Sequence, residues 1–282
     1  TAVGAWSLGA NTTGAQNVSI GNYALDANTT ASNNTAVGYE ALTANTTGTS
    51  NVAVGLQALA ANVTGGYNTA IGIDALTANT TSENTACGFQ SLMANTSGAY
   101  NTGIGGNALK ENTTADANTA VGDDCLRANT TGAHNTGIGK GALAANTTAN
   151  ANTAVGSAAL DTNTTGADNS AVGTNALTAN TTGAYNTAVG KSALEAATTG
   201  NSNTALGQSA GGSLTTASNN VAVGQAALVS TTTGASNTAV GQGAMYTNTT
   251  ASANTAVGKD ALYTNTTGDN CVAVGMRALQ TQ

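Results

Sequence analysis

One histidine, His134, and three cysteines, Cys87, Cys125 and Cys271, hold all the soft metal-ligand and thiol chemistry of this chain. A zinc centre needs several such ligands to converge, and a lone histidine supplies no pair. A histidine-activated nucleophile would have to be assembled around His134 alone. Asp123 and Asp124 are the one adjacent acidic pair, and they read as a solvated surface pair. No Asp recurs with the period that calcium-binding β-rolls require. No glycine-rich segment leads into Lys-Ser or Lys-Thr in the frame of a phosphate loop. The expectation is a non-enzymatic protein with no metal and no cofactor.

Charge narrows the partners. Six Lys and Arg stand against thirteen Asp and Glu, for a net charge of −7. Nucleic acid, which is bound chiefly by neutralising phosphates with basic side chains, is therefore not expected. No apolar run approaches the length of a membrane span, so no membrane insertion is expected.

The elements that must position any site are seventeen copies of one unit, best seen as Asn-Thr-Ala-Val-Gly-x-x-Ala-Leu-x-x-Asn-Thr-Thr-Gly-x-x over residues 34 to 50. Its glycine falls at Gly4, Gly21, Gly38 and onward to Gly275, always 17 residues apart except for one 16-residue step from Gly72 to Gly88. A short period sustained end to end marks a quasi-one-dimensional stack, so residues 1 to 282 are read as a single repeat solenoid.

Counting from the first Asn, position 1 is Asn17, Asn34, Asn51, Asn68, Asn84, Asn101, Asn118, Asn135, Asn152, Asn169, Asn186, Asn203, Asn220, Asn237 and Asn254, with Cys271 the one departure. Position 9 is Leu25, Leu42, Leu59, Leu76, Leu92, Leu109, Leu126, Leu143, Leu160, Leu177, Leu194, Leu228, Leu262 and Leu279, besides Leu8, with Gly211 and Met245 as exceptions. Positions 3 and 8 are small, and position 4 is Val, Ile, Leu or Cys. All 19 charged residues fall at positions 6, 7, 10, 11, 16 and 17, which therefore face water. Positions 4 and 9 are expected to face inward, giving two large apolar residues per coil.

The Gly at position 5 and the Asn-Thr-Thr-Gly corner leave too little room for a helix. Thr-Ala-Val reads as a short strand, the Gly as a turn, and Ala-Leu as the start of a second extended stretch. The expected fold is all-β, a parallel β-solenoid. Coils at the inter-strand spacing of about 4.8 Å would give a rod of about 77 Å. Asn at positions 1 and 12 would form ladders, each amide donating to one neighbouring coil and accepting from the other.

Two apolar residues in seventeen make a thin core. The expectation is side-by-side association, most simply a trimer packed through Ala at positions 3 and 8. Thr1 enters the repeat at position 2 and Gln282 leaves it at position 12, which suggests a segment of a longer fibre or a unit stacking end to end. Cys87, Cys125 and Cys271 occupy positions 4, 8 and 1 and read as small-residue substitutions rather than a disulfide framework. Asn-x-Ser/Thr occurs fifteen times, mostly at the corner, where turn formation explains it first and sparse glycosylation second.

Aromatic side chains at variable positions are the candidates for recognising a host-surface receptor or glycan: Trp6, Tyr67, Tyr100 and Tyr185 foremost, with Tyr23, Tyr39, Phe89, Tyr246 and Tyr263 also outward. Two local departures carry their own expectations. Leu214, at position 12, should turn inward to fill the space left by Gly211, and the residue missing between Gly72 and Gly88 should tighten the corner around Ser82.

Asn51-Val-Ala-Val-Gly55, Asn220-Val-Ala-Val-Gly224 and Asn17-Val-Ser-Ile-Gly21 resemble the repeats of trimeric autotransporter adhesin heads, though this coil is three residues longer than the usual head repeat. The fuller unit is similar to repeat shafts of phage and bacterial tail-fibre-domain proteins. That resemblance implies a left-handed, trimeric β-roll serving as an extracellular fibre shaft on a virion or cell surface. A self-assembling extracellular filament is the alternative. Ice binding is disfavoured, because Thr at positions 13 and 14 would point in opposite directions and leave a single file.

Overall fold

The computed structural model describes residues 1–281. Contacts gather these into two compact units, Thr1–Lys140 and Gly141–Gln282. Each is a parallel β-solenoid with one short strand per repeat. The first holds β1 (Ala2–Val3) and then three-residue strands from β2 (Val18–Ile20) to β9 (Thr136–Ile138). The second runs from β10 (Thr153–Val155) to β17 (Val272–Val274). Within a unit, equivalent residues pair in register, Ala36 with Ala53 in the first and Ala188 with Ala205 in the second. Among the described residues there is no helix.

The strand covers positions 2 to 4, where Thr and Val suit an extended backbone. Gly at position 5 then reverses direction. Gly38 has φ 142°, and a Cβ there would collide with the carbonyl of Gly55 in the next coil, so only glycine fits. A tight turn follows, closed by the Ala41 N–H donating to the Gly38 carbonyl at 3.4 Å.

Here the expected second extended stretch is absent. Glu40 and Leu42 take φ of 55° and 54°, and the same left-handed values recur at positions 7 and 9 along the chain. Such a backbone is unfavourable for a bulky residue and persists where its surroundings fix it. Those surroundings are the ladder on each side: Leu42 N–H donates to the Ala58 carbonyl at 2.9 Å, and Glu40 N–H to the Asn22 carbonyl at 3.0 Å.

The interior also differs from expectation. Position 3, not position 4, faces inward: Ala36, Ala53 and Ala188 are fully buried, whereas Ile20, Ile71 and Ile104 at position 4 are each 41% exposed. Adjacent strand residues point to opposite sides, so positions 3 and 4 cannot both enter one core. Space decides which does. A Cβ on Gly103, at position 3, would sit 3.4 Å from Cγ of Leu92 and 2.6 Å from the Ser91 hydroxyl, so this side of the strand already rests on positions 8 and 9. Ala at positions 3 and 8 is consequently sealed within its own coil, and the expected trimer contact through those alanines is excluded.

Position 9 fills the core. Every Leu of that row from Leu25 to Leu262 is fully buried, each worth about 2 kcal/mol of transfer energy. Leu8 and Leu279, in the first and last repeats, are less covered, Leu279 being 47% exposed.

Both local departures behave as expected. Leu214 is buried, and a Cβ on Gly211 would approach its Cδ1 to 2.8 Å, so Leu214 occupies the space of the missing Leu. In the shortened coil Asn79 Nδ2 donates to the Thr81 carbonyl two residues on, where Asn45 reaches Gly48 three residues on. The residue is lost from the corner itself.

Candidate functional site

The most repeated side-chain geometry belongs to the two asparagine rows, both buried. At position 1, Asn34 Oδ1 accepts the backbone N–H of Asn51 at 2.9 Å, while its Nδ2 donates to the Gly48 carbonyl at 2.8 Å. The contact to the next coil is thus amide to backbone. The second unit repeats it, with Asn169 Oδ1 accepting from Asn186 N–H and Asn169 Nδ2 donating to Gly183. At position 12 the amides contact one another: Asn45 Nδ2 donates to Asn28 Oδ1 at 3.1 Å and to Gly48 at 2.9 Å. These rows are buried and serve the corner groups, so they present no accessible amide to a ligand.

Their burial bears on glycosylation. Asn at position 12 is buried in the folded coil from Asn28 onward, as at Asn45 and Asn163, so those corner sequons present no acceptor, while Asn11 in the first repeat is half-buried. Asn33, in Asn33-Asn34-Thr35, is an acceptor exposed at the surface. Thr at position 13 is occupied too, Thr46 Oγ1 donating to the Val63 carbonyl and Thr164 Oγ1 to Thr181. Thr30, Thr47 and Thr64 at position 14 remain outward as a single file.

The outward side of the strands forms the broadest surface feature. Position 2 is Thr, Ser or Val, and position 4 is Val, Ile, Leu or Cys, in every copy. No charge interrupts either row. In the first unit the position 4 row includes exposed Ile20, Ile71, Ile104 and Ile138, and in the second exposed Val172, Leu206 and Val257. The sequence signal for this face was the uniform smallness of position 3, since alternation then sends positions 2 and 4 outward together.

Trp6, Tyr67, Tyr100 and Tyr185 are all 63 to 67% exposed. The fold does not bring these four into a cluster: Tyr67 and Tyr100 share position 17 but lie two coils apart. Aromatic pairs form elsewhere. Tyr23 and Tyr39 meet edge to face with centroids 6.1 Å apart, and Tyr246 and Tyr263 stack at 5.0 Å with planes 8° apart. The second pair was visible in the sequence as Tyr at position 10 of consecutive copies. A hydrogen bond from Tyr39 to Glu40, reinforced by that carboxylate's charge, raises the Tyr39 phenol above its ordinary pKa.

The cysteines are all free. Burial pushes the Cys125 thiol up to about 12, so it carries negligible thiolate near neutral pH. Asp124 pairs with Arg127 at 3.7 Å on an exposed surface, a contact of little energetic weight. Among the described residues no group of three His, Cys, Asp or Glu converges to hold a metal ion, and no helix is long and apolar enough to cross a membrane. No protein-family model matches the chain, and no curated protein matches it. The fold and these surfaces define a β-solenoid repeat protein.

Proposed function

We propose that this protein is a non-enzymatic structural fibre shaft, extracellular and displayed on a virion or cell surface, where it supports attachment. Its chains associate side by side through the outward Thr/Val face. The observation carrying this reading is the uncharged row at positions 2 and 4, repeated on the strands of both units. Isolated exposed aliphatics are commonplace, but a contiguous apolar row on a soluble chain marks an interaction surface. A face built from one repeat also matches itself coil for coil, which favours a second and third copy of the same chain. The number three and a left-handed coil follow the resemblance to trimeric adhesin heads.

Cryo-electron microscopy of the native material tests the reading. Three chains per cross-section, touching through position 4, are expected. Single chains, or chains joined only end to end, would replace the shaft with a filament subunit or a monomeric protein.

A further inference from the structure

Two tyrosines in the second unit stand side by side at a variable outward position of the repeat. Position 10 ranges from Thr43 and Ala60 to Met93, Lys110 and Arg127, and it carries an aromatic ring at Tyr246 and Tyr263, in consecutive copies. Beside them position 7, Glu40, Gln57 or Asn107 in other copies and small again at Gly141 and Ala158, is Ala226 and Gly243. Together these changes open a cavity of about 280 Å³ lined by Gln225, Ala226, Gln242, Gly243, Tyr246, Asp260 and Tyr263.

The cavity is chemically two-sided. One wall is the parallel tyrosine pair, with centroids 5.0 Å apart. The Tyr263 ring lies over Gly243, since a Cβ on that glycine would come within 3.5 Å of its Cε2. Tyr246 is 36% exposed and presents ring surface to the opening. The other wall is polar: Gln242 Nε2 faces Gln225 Oε1 at 3.5 Å, a long and weak contact that leaves both amides free to bind elsewhere. Asp260 closes one end, its Oδ2 3.9 Å from Arg277 Nε.

The backbone under the walls is fixed. Gly243 N–H donates to the Gln225 carbonyl at 3.0 Å, Asp260 N–H to Gln242 at 2.9 Å, and the Tyr263 carbonyl accepts both the N–H and the hydroxyl of Thr247. The side chains therefore project from a rigid ladder, which lowers the ordering cost of binding.

We propose that this cavity binds one neutral sugar ring. An aromatic face packs against the C–H face of a pyranose, and planar amide and carboxylate groups hydrogen-bond to its ring hydroxyls. The volume sits at the lower limit of small-molecule sites, about 300 Å³, which suits a single ring. A neutral sugar fits better than an anionic one because the charged group in the lining, Asp260, is a carboxylate. The inference does not rest on the shaft reading, since a chain that failed to trimerise would keep the same cavity.

Saturation-transfer NMR on the full chain, with D-galactose, D-glucose and N-acetyl-D-glucosamine as probes, tests it. At least one sugar should receive saturation, strongest at the C–H protons of the face laid on tyrosine. Two variants locate the site. Tyr246→Thr removes the free ring, and Gly243→Asn fills the trough. The repeat already tolerates both residues, with Thr43 at position 10 and Asn107 at position 7, the latter at φ 54°, close to the 65° of Gly243. Each variant should keep the circular dichroism of the parent and weaken binding at least about tenfold. No transfer to any of the three sugars, or transfer that survives both variants, would overturn the proposal.

Discussion

Two stretches of the molecule close the same corner in different ways. Around Asn28, Asn45 and Asn62 the corner carbonyl is served twice: Gly48 accepts from Asn34 at position 1 and from Asn45 at position 12. Between residues 197 and 231, position 12 is Ala197, Leu214 and Thr231, and the amide row stops. The corner survives because position 1 continues beneath it, with Asn186 Nδ2 donating to the Gly200 carbonyl at 2.8 Å and Asn203 to Ala217 at 2.8 Å. The threonine hydroxyl ladder also runs on, from Thr198 to Thr215 and from Thr215 to Thr232. Position 12 is thus a second donor to a group already satisfied, and position 1 is the necessary one. This difference explains why the repeat gives up Asn three times in succession at one position while holding it at the other.

The interrupted stretch depends on apolar filling, and its loss should be the largest effect. Leu214→Ala should cost about 2 to 5 kcal/mol by leaving a cavity where neither residue 211 nor 214 reaches. The pair Gly211→Leu with Leu214→Asn, which rebuilds the ordinary coil, should recover most of that in chemical denaturation. A double variant as unstable as Leu214→Ala would mean the two sites do not share one space.

In the regular stretch the two rows should separate. Asn51→Ala orphans the buried N–H of Asn68, a loss of about 1 to 3 kcal/mol, whereas Asn45→Ala leaves Gly48 still bonded to Asn34, orphans only the side-chain acceptor Asn28 Oδ1 and should cost about 1 kcal/mol. Equal losses in denaturant titrations would erase the distinction between the rows.

A gain is expected where the ladder can be extended. Asn180 Oδ1 is buried without a partner because Ala197 follows it at position 12. Ala197→Asn should supply a donor and raise stability by about 1 kcal/mol, read as a higher denaturation midpoint. A lower midpoint would show that the site cannot seat the amide.

The smallest effect is chemical. With its thiol pushed up to about 12 by burial, Cys125 should stay unlabelled by iodoacetamide at pH 8, while the partly exposed Cys271, off the Thr/Val face, reacts. Mass spectrometry of labelled peptides would show it, and rapid labelling of Cys125 would contradict its placement inside.

Much of this architecture was legible in the residues. The 17-residue period sustained end to end carried the solenoid, the Leu row at position 9 carried the core, and the Gly211 and Leu214 exchange could be read as one compensation. Position 4 was misread because hydrophobicity alone suggested burial; the invariant small residue beside it was the better guide to which side of the strand is crowded. The left-handed backbone at Leu42 and its equivalents was hidden for a different reason. Leucine disfavours φ near 50°, so no local propensity announces it, and only the inter-coil hydrogen bonds on each side impose it. The tyrosine cavity had a partial signal, two Tyr at position 10 in consecutive copies, but the emptiness beside them appears only when position 7 is compared between coils.

The association of chains through the Thr/Val face is most directly tested by the solution mass of the full chain beside a variant carrying Val37→Glu, Val54→Glu and Val121→Glu. Light scattering should give about three times 27.0 kDa for the parent and a single-chain mass for the variant, with the same circular dichroism for both. A parent that stays at one chain across the concentrations of a fibre, or a variant that assembles as the parent does, would contradict the account.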